Sequence, residues 1–206
     1  MSIDRVVNMQ LSVMRPSEAA AAANILKKAH SSWSEVPPDF YDSHILPGFT
    51  AALRPSFAIV GSVNGVLCAA YEPPNFAVEG KAVVFGKKRY EGTWASGYTG
   101  TDDYFAAHPE NNGNGRAFFL AFGRVLEQLA HELGSPVAHR IQATHRSVRF
   151  FEKLGYTKIH YSPTGLQFDY HLVEKGHAPV VHDLPTAERQ VVDALTIRAS
   201  AIQQTI

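Results

Sequence analysis

Two glycines one residue apart, Gly113 and Gly115, stand just before the apolar run Phe118-Phe119-Leu120-Ala121-Phe122, and no other feature constrains the fold of this chain as strongly. Lacking Cβ atoms, they let the backbone turn sharply and bring several N–H groups together where the run begins a helix. Those N–H groups have no partner inside the helix, and the aligned peptide dipoles add partial positive charge. The turn therefore predicts an anion site suited to a phosphate or pyrophosphate. A Gly-x-Gly pair before a helix also occurs as an ordinary turn, and the rest of the chain must decide between the two readings.

At 206 residues the chain is long enough for one packed domain with an extension. Formal net charge is zero, with lysines and arginines scattered, so the sequence offers no footprint for a nucleic-acid backbone or an anionic membrane surface. No apolar run reaches bilayer length and Met1-Ser2-Ile3-Asp4-Arg5 lacks the pattern of a secretory leader, so the expectation is a soluble, cytoplasmic protein. The single cysteine, Cys68, excludes an internal disulfide and lies in an apolar stretch as a core filler. His139, His145, His160, His171, His177 and His182 show no metal-ligand spacing, and no metal is expected.

Residues Met9 to Met14 alternate as a strand does, Ser17 is the expected N-cap, and an alanine-rich helix follows over about residues 18–29. Pro37 and Pro38 open a second helical stretch ending before Pro55. Residues 57–63 and 66–71 flank Asn64-Gly65, the signature of a hairpin with a primed turn. Residues 72–100 read as an insertion, with a strand at 82–85 and Lys87-Lys88-Arg89 at an exposed tip; its aromatic residues Tyr90, Trp94 and Tyr98, with Tyr104, either line a pocket or staple the segment.

A strand over 103–107 runs into the glycine turn, and the helix from Gly115 to Leu133 buries Phe118, Ala121, Phe122, Val125, Leu129 and Leu133, with Gly134 as its C-cap. A strand over 137–143, a helix over 146–154 ending at Gly155, and closing strands near 158–161 and 166–173 complete a mixed α/β sheet with helices on its faces. Leu184, Ala187, Val191, Leu195, Ala199, Ile202 and Ile206 recur at three- and four-residue steps. They predict an amphipathic C-terminal helix that packs on its own domain, on a second copy of the chain in a homodimer, or on a partner protein.

The series of parts resembles the GNAT superfamily of N-acetyltransferases over residues 9–173. The family's acyl-CoA loop, a glutamine or arginine followed by small residues one position apart, is similar to Asn112-Gly113-Asn114-Gly115-Arg116-Ala117, and His108-Pro109-Glu110 and Arg15-Pro16 resemble its usual lead-in and opening. Its second block, Asn-x-x-Ala-x-x-Phe-Tyr-Glu-Lys-Leu-Gly-Phe, is similar to Thr144-His145-Arg146-Ser147-Val148-Arg149-Phe150-Phe151-Glu152-Lys153-Leu154-Gly155-Tyr156, about 30 residues after the glycine turn.

The resemblance implies a mostly antiparallel central sheet splayed between its fourth and fifth strands, helices on both faces, an acyl-CoA-binding domain over 1–175 and a helical extension over 176–206. It implies acetyl-CoA as cosubstrate, with the pyrophosphate on Gly113, Asn114, Gly115, Arg116 and Ala117 beside Asn112, the pantetheine arm along Phe105 and Ala107, and further contacts from Thr144, Ser147, Phe150 and Phe151. The implied reaction is direct attack of an amine, on a small molecule or a protein, on the thioester. Asp103 and Glu110 are the candidate bases, with His108 and Thr101 as alternatives. Asn112, Thr144 and Phe151 depart from the family pattern. Phe151 stands where many members carry a tyrosine proposed to protonate the departing sulfur, a role worth about 10²- to 10⁴-fold. The departures leave open a catalytically impaired protein that serves as a binding or regulatory module.

Overall fold

Asn64 and Gly65 both take positive φ, 52° and 75°, as a primed turn requires, and they close the hairpin at the centre of the first sheet. The computed structural model describes residues 7–31, 58–72, 76–79, 82–86, 104–109, 112–162 and 170–203. The strands are β1 (Gln10–Val13), β2 (Ile59–Val63), β3 (Val66–Glu72), β4 (Phe76–Glu79), β5 (Ala82–Gly86), β6 (Tyr104–Ala107), β7 (Val137–Thr144), β8 (Thr157–Ser162) and β9 (Tyr170–His177). The helices are α1 (Ala19–Ser31), α2 (Asn114–Glu132), α3 (His145–Lys153) and α4 (Thr186–Gln203). The helical stretch expected between Pro37 and Pro55 lies outside the described residues, as do Lys87-Lys88-Arg89, Tyr90, Trp94 and Tyr98.

The chain divides into two compact units. One contains Met1–Pro73, Tyr104–Phe122 and Leu184–Val191; the other contains Pro74–Asp103, Gly123–Asp183 and Val192–Ile206. Helices α2 and α4 each contribute residues to both units.

The first unit carries an antiparallel sheet in the order β1-β2-β3-β6. Side chains alternate across a strand, and this sheet uses both faces. Val60, Ala70 and Ala106 on one face pack against Ala22, Ile25 and Ala29 of α1. The other face presents Tyr71 and Phe105 to the start of α2. The Tyr71 ring is wholly buried, edge-on to Phe105, Phe118, Phe119 and Phe122 at centroid distances of 5.5–6.2 Å. Such pairs contribute about 0.5–1.5 kcal/mol each beyond the area they bury. A Cβ on Gly61 would lie 2.6 Å from Met9 Sδ and 2.9 Å from Phe118 Cδ2, so glycine is what lets this helix come so near β2.

Helix α1 starts differently from expectation. Arg15, not Ser17, precedes the first turn, a 3-10 turn over Pro16–Glu18. The Glu18 carboxylate accepts the Arg15 backbone N–H at 2.7 Å and the Arg15 guanidinium at 2.7 Å, closing the turn that precedes the helix.

The second unit carries a five-stranded sheet in the order β4-β5-β7-β9-β8. All its pairs are antiparallel except β5–β7, which runs parallel from Val83↔Val137 to Gly86↔Arg140. Strands β6 and β7, the fourth and fifth of the expected order, thus belong to different sheets. The last closing strand runs over Tyr170–His177, and residues 166–169 of the expected stretch lie outside the described residues.

Helix α2 buries Phe118, Ala121, Phe122, Val125 and Leu129 as its periodicity predicts, adds Phe119 and Leu126, and leaves Leu133 only half-buried. It ends in a Schellman motif: Gly134 at φ 62° donates to His131, and Ser135 donates to Ala130. Helix α3 ends the same way, with Gly155 at φ 86° donating to Glu152 and Tyr156 donating to Phe151. In α4, Val191, Leu195 and Ala199 are buried as expected, while Ile197 is 72% exposed. Among the described residues no helix is long and apolar enough to cross a membrane.

Candidate functional site

In the first unit, β6 delivers the chain to the glycine turn and α2 carries it away. Gly113 adopts φ 80°, a region that residues with a Cβ rarely enter. Its carbonyl accepts the first helical hydrogen bond, from Ala117 N–H at 2.9 Å, which makes Gly113 the N-cap. Among the described residues the N–H groups of Gly113, Asn114 and Gly115 meet no acceptor. Asn112, Gly113 and Arg116 are exposed, Gly115 and Ala117 are half-buried, and Asn114 is buried with its side-chain amide donating to the His108 carbonyl at 3.2 Å. The turn is thus tied to the end of β6.

The open edge of β6 lies next to this turn. His108 N–H donates to the Cys68 carbonyl at 2.8 Å, and antiparallel pairing alternates. Ala106 therefore exchanges bonds with Ala70, while the N–H and C=O of Phe105 and Ala107 point away from β3, where no described residue pairs with them. The Phe105 ring packs at a tilt against Phe119 at 4.6 Å and Phe118 at 5.1 Å, which fixes this strand against the helix that the turn begins.

His108 is half-buried, and its Nδ1 lacks a partner among the described residues. Asp103, Glu110 and Thr101 lie outside the described residues. Cys68 is buried, its thiol on the Gly61 carbonyl at 3.5 Å and its pKa pushed up by burial, in keeping with a core filler.

The second unit holds the residues of the second block. Thr144 closes β7 opposite Tyr170, and α3 begins at the next residue. Ser147 and Phe150 are half-buried on α3. Phe151 is buried, its ring against Phe150 at 5.1 Å and Tyr156 at 5.4 Å. A buried pair escaped the sequence reading: His139 Nδ1 and the Tyr156 hydroxyl share a hydrogen bond of 2.7 Å. Burial, then the proximity of His177 and Lys175, holds His139 well below the usual imidazole range, and burial raises the Tyr156 phenol. Lys175 Nζ donates to the Leu154 carbonyl at 2.9 Å, at the C-terminal end of α3 where a cation is favoured. The available signal was a hydroxyl on the ring that ends the second block, where the family pattern has phenylalanine.

No protein-family profile and no curated protein matches the chain. Its structure does find counterparts. A GCN5-related N-acetyltransferase from Rhodopseudomonas palustris superposes with a TM-score of 0.53 at 17% identity, over 82% of this chain and 97% of that one. This chain has the GNAT fold. The GNAT likeness extends to a putative N-acetyltransferase from Lactobacillus plantarum, with a TM-score of 0.52 at 13% identity over 82% and 97% of the two chains. It also extends to the ribosomal-protein-S18-alanine N-acetyltransferase of Escherichia coli, with a TM-score of 0.50 at 16% identity over 86% and 99%. These identities carry the GNAT fold and not the identity of an acceptor.

Proposed function

We propose that this protein is an acetyl-CoA-dependent N-acetyltransferase. The observation that carries the reading is the continuity between the backbone edge at Phe105 and Ala107, turned away from β3, and the amides of Gly113, Asn114 and Gly115, which meet no acceptor among the described residues. An extended edge suits the amides of a pantetheine arm, and converging N–H donors at a helix start suit a pyrophosphate, so these residues fit the two ends of one acyl carrier. Acetyl-CoA supplies the acetyl group as a thioester.

In this reading Gly113, Asn114, Gly115, Arg116 and Ala117 neutralise the pyrophosphate through the backbone, with Asn112 alongside. Phe105 and Ala107 hold the arm in line, and Thr144, Ser147, Phe150 and Phe151 complete the cofactor-binding set. An amine with a pKa of about 10.4 is almost wholly protonated near neutrality and needs a base, for which Asp103 and Glu110 are the proposed groups. A thiol leaving group with a pKa of about 8.5 departs readily as thiolate, so a chain with Phe151 in the tyrosine position still has a route to products. The acceptor class is an amine on a small molecule or a protein.

The burial of Phe151 favours a second reading, in which acetyl-CoA is bound but not turned over. One pair of measurements separates them. Acetyl-CoA at 100 times its dissociation constant adds about 2.7 kcal/mol of stability, read as a thermal shift. Thiol release over a panel of amines, abolished by Gly115→Leu, establishes transfer. A shift without release supports binding alone, and no shift at millimolar acetyl-CoA overturns both.

A further inference from the structure

Helix α3 has nine residues, too few to be stable by itself, so its position is set by what holds its ends. Its start is fixed by the chain, because β7 ends at Thr144 and α3 begins at His145. Its end returns to the same strand. Tyr156 lies three residues beyond α3, and its hydroxyl reaches back to His139, five residues before the end of β7, at 2.7 Å.

The lengths match. Nine helical residues rise about 13–14 Å, and five strand residues span about 16–17 Å. Helix α3 therefore runs back along β7 and is fastened to it at both ends. The Tyr156 ring also packs on Phe151 at 5.4 Å, Lys175 Nζ bonds the Leu154 carbonyl at 2.9 Å, and Lys175 sits 6.0 Å from the Tyr156 ring centroid. A phenylalanine at 156 would keep the ring packing. The hydroxyl adds a directional link to β7 that packing alone does not supply.

We propose that Tyr156 and His139 are positioning residues: their hydrogen bond sets where α3 lies along β7, and so where Ser147, Phe150 and Phe151 are presented to acetyl-CoA. This inference rests on the cofactor reading above. Neither residue needs to touch the ligand.

The test is calorimetric titration of the full chain with acetyl-CoA, combined with hydrogen exchange of the ligand-free protein. In Tyr156→Phe and His139→Leu, the dissociation constant should rise about fivefold with stoichiometry unchanged, the effect of one lost hydrogen bond. His139→Asn, which keeps a polar group near the Nδ1 position, should stay within about twofold of the parent. Amides of 149–154 should exchange about tenfold faster in Tyr156→Phe while those of 118–130 keep their parent rates.

An unchanged dissociation constant in both variants overturns the proposal. So does a falling stoichiometry at constant affinity, which reports lost folded protein only, and so does equal acceleration in both helices. Should Tyr156→Phe not fold, the Tyr156→Phe/His139→Leu double variant, whose buried pair is apolar on both sides, carries the same comparison. A parent protein that binds no acetyl-CoA removes the cofactor reading, while the exchange pattern still decides whether the Tyr156–His139 bond holds α3 in place.

Discussion

The Asn114 side-chain amide donates to the His108 carbonyl at 3.2 Å, bridging the first residue of α2 to the end of the strand that leads into the glycine turn. Removing it in Asn114→Ala should cost about 1 kcal/mol and, by loosening the amides around Gly113, raise the dissociation constant for acetyl-CoA about fivefold. Thermal denaturation and calorimetric titration measure the two effects separately.

Gly113→Ala forces a Cβ into φ 80°, with Val7 Cγ2 3.6 Å from the new atom, and should destabilise by about 1–2 kcal/mol while weakening acetyl-CoA. Gly134→Ala is the control. It meets comparable strain at φ 62° with nothing within 4 Å, so it should lose comparable stability and bind acetyl-CoA as the parent does. Equal affinities for the two variants would detach the glycine turn from the proposed site.

His177 is buried, neither ring nitrogen has a partner among the described residues, and burial followed by Lys175 lowers its pKa to about 4. The unfolded chain, with an ordinary imidazole near 6.5, takes up the proton first as pH falls. The stability held by neutral His177 is therefore complete above about 6.5 and declines towards pH 4, by as much as about 3 kcal/mol. Denaturant titrations at a series of pH values should show this loss, and His177→Phe should reduce it, leaving the share that buried His139 contributes in the same direction.

Phe151→Tyr restores the family residue but places a hydroxyl in a buried position beside Phe150 and Tyr156. The expected cost is about 1–3 kcal/mol of stability for a buried hydroxyl without a partner, with thiol release within about twofold of the parent. A rise in turnover of tenfold or more would show instead that residue 151 reaches the reacting atoms.

Where local chemistry dictates the backbone, the sequence was legible. Asn64-Gly65 specify their turn by positive φ, and Gly134 and Gly155 mark helix ends because C′ positions take the left-handed conformation. The start of α1 was misread because a 3-10 turn over Pro16–Glu18 precedes it, closed by the Glu18 carboxylate on the Arg15 N–H, and Ser17 falls inside that turn. Strand β5 was foreseen, yet its partner was not, since parallel pairing with β7 leaves no local trace. The glycine turn could be located, whereas the Tyr156–His139 bond could not: residues 17 apart each read as ordinary core or strand positions, and only their meeting reveals a role.

The β5–β7 ladder also sets an order of assembly. Strands β1, β2, β3 and β6 are all synthesised by residue 107, so their sheet can pair while later residues are still being added. The β4–β5 hairpin ends at Gly86 and must wait through about fifty further residues for Val137–Arg140, and closing so wide a loop carries an entropic cost. Until then the nascent chain exposes an unsatisfied strand edge, the kind of template that invites mispairing.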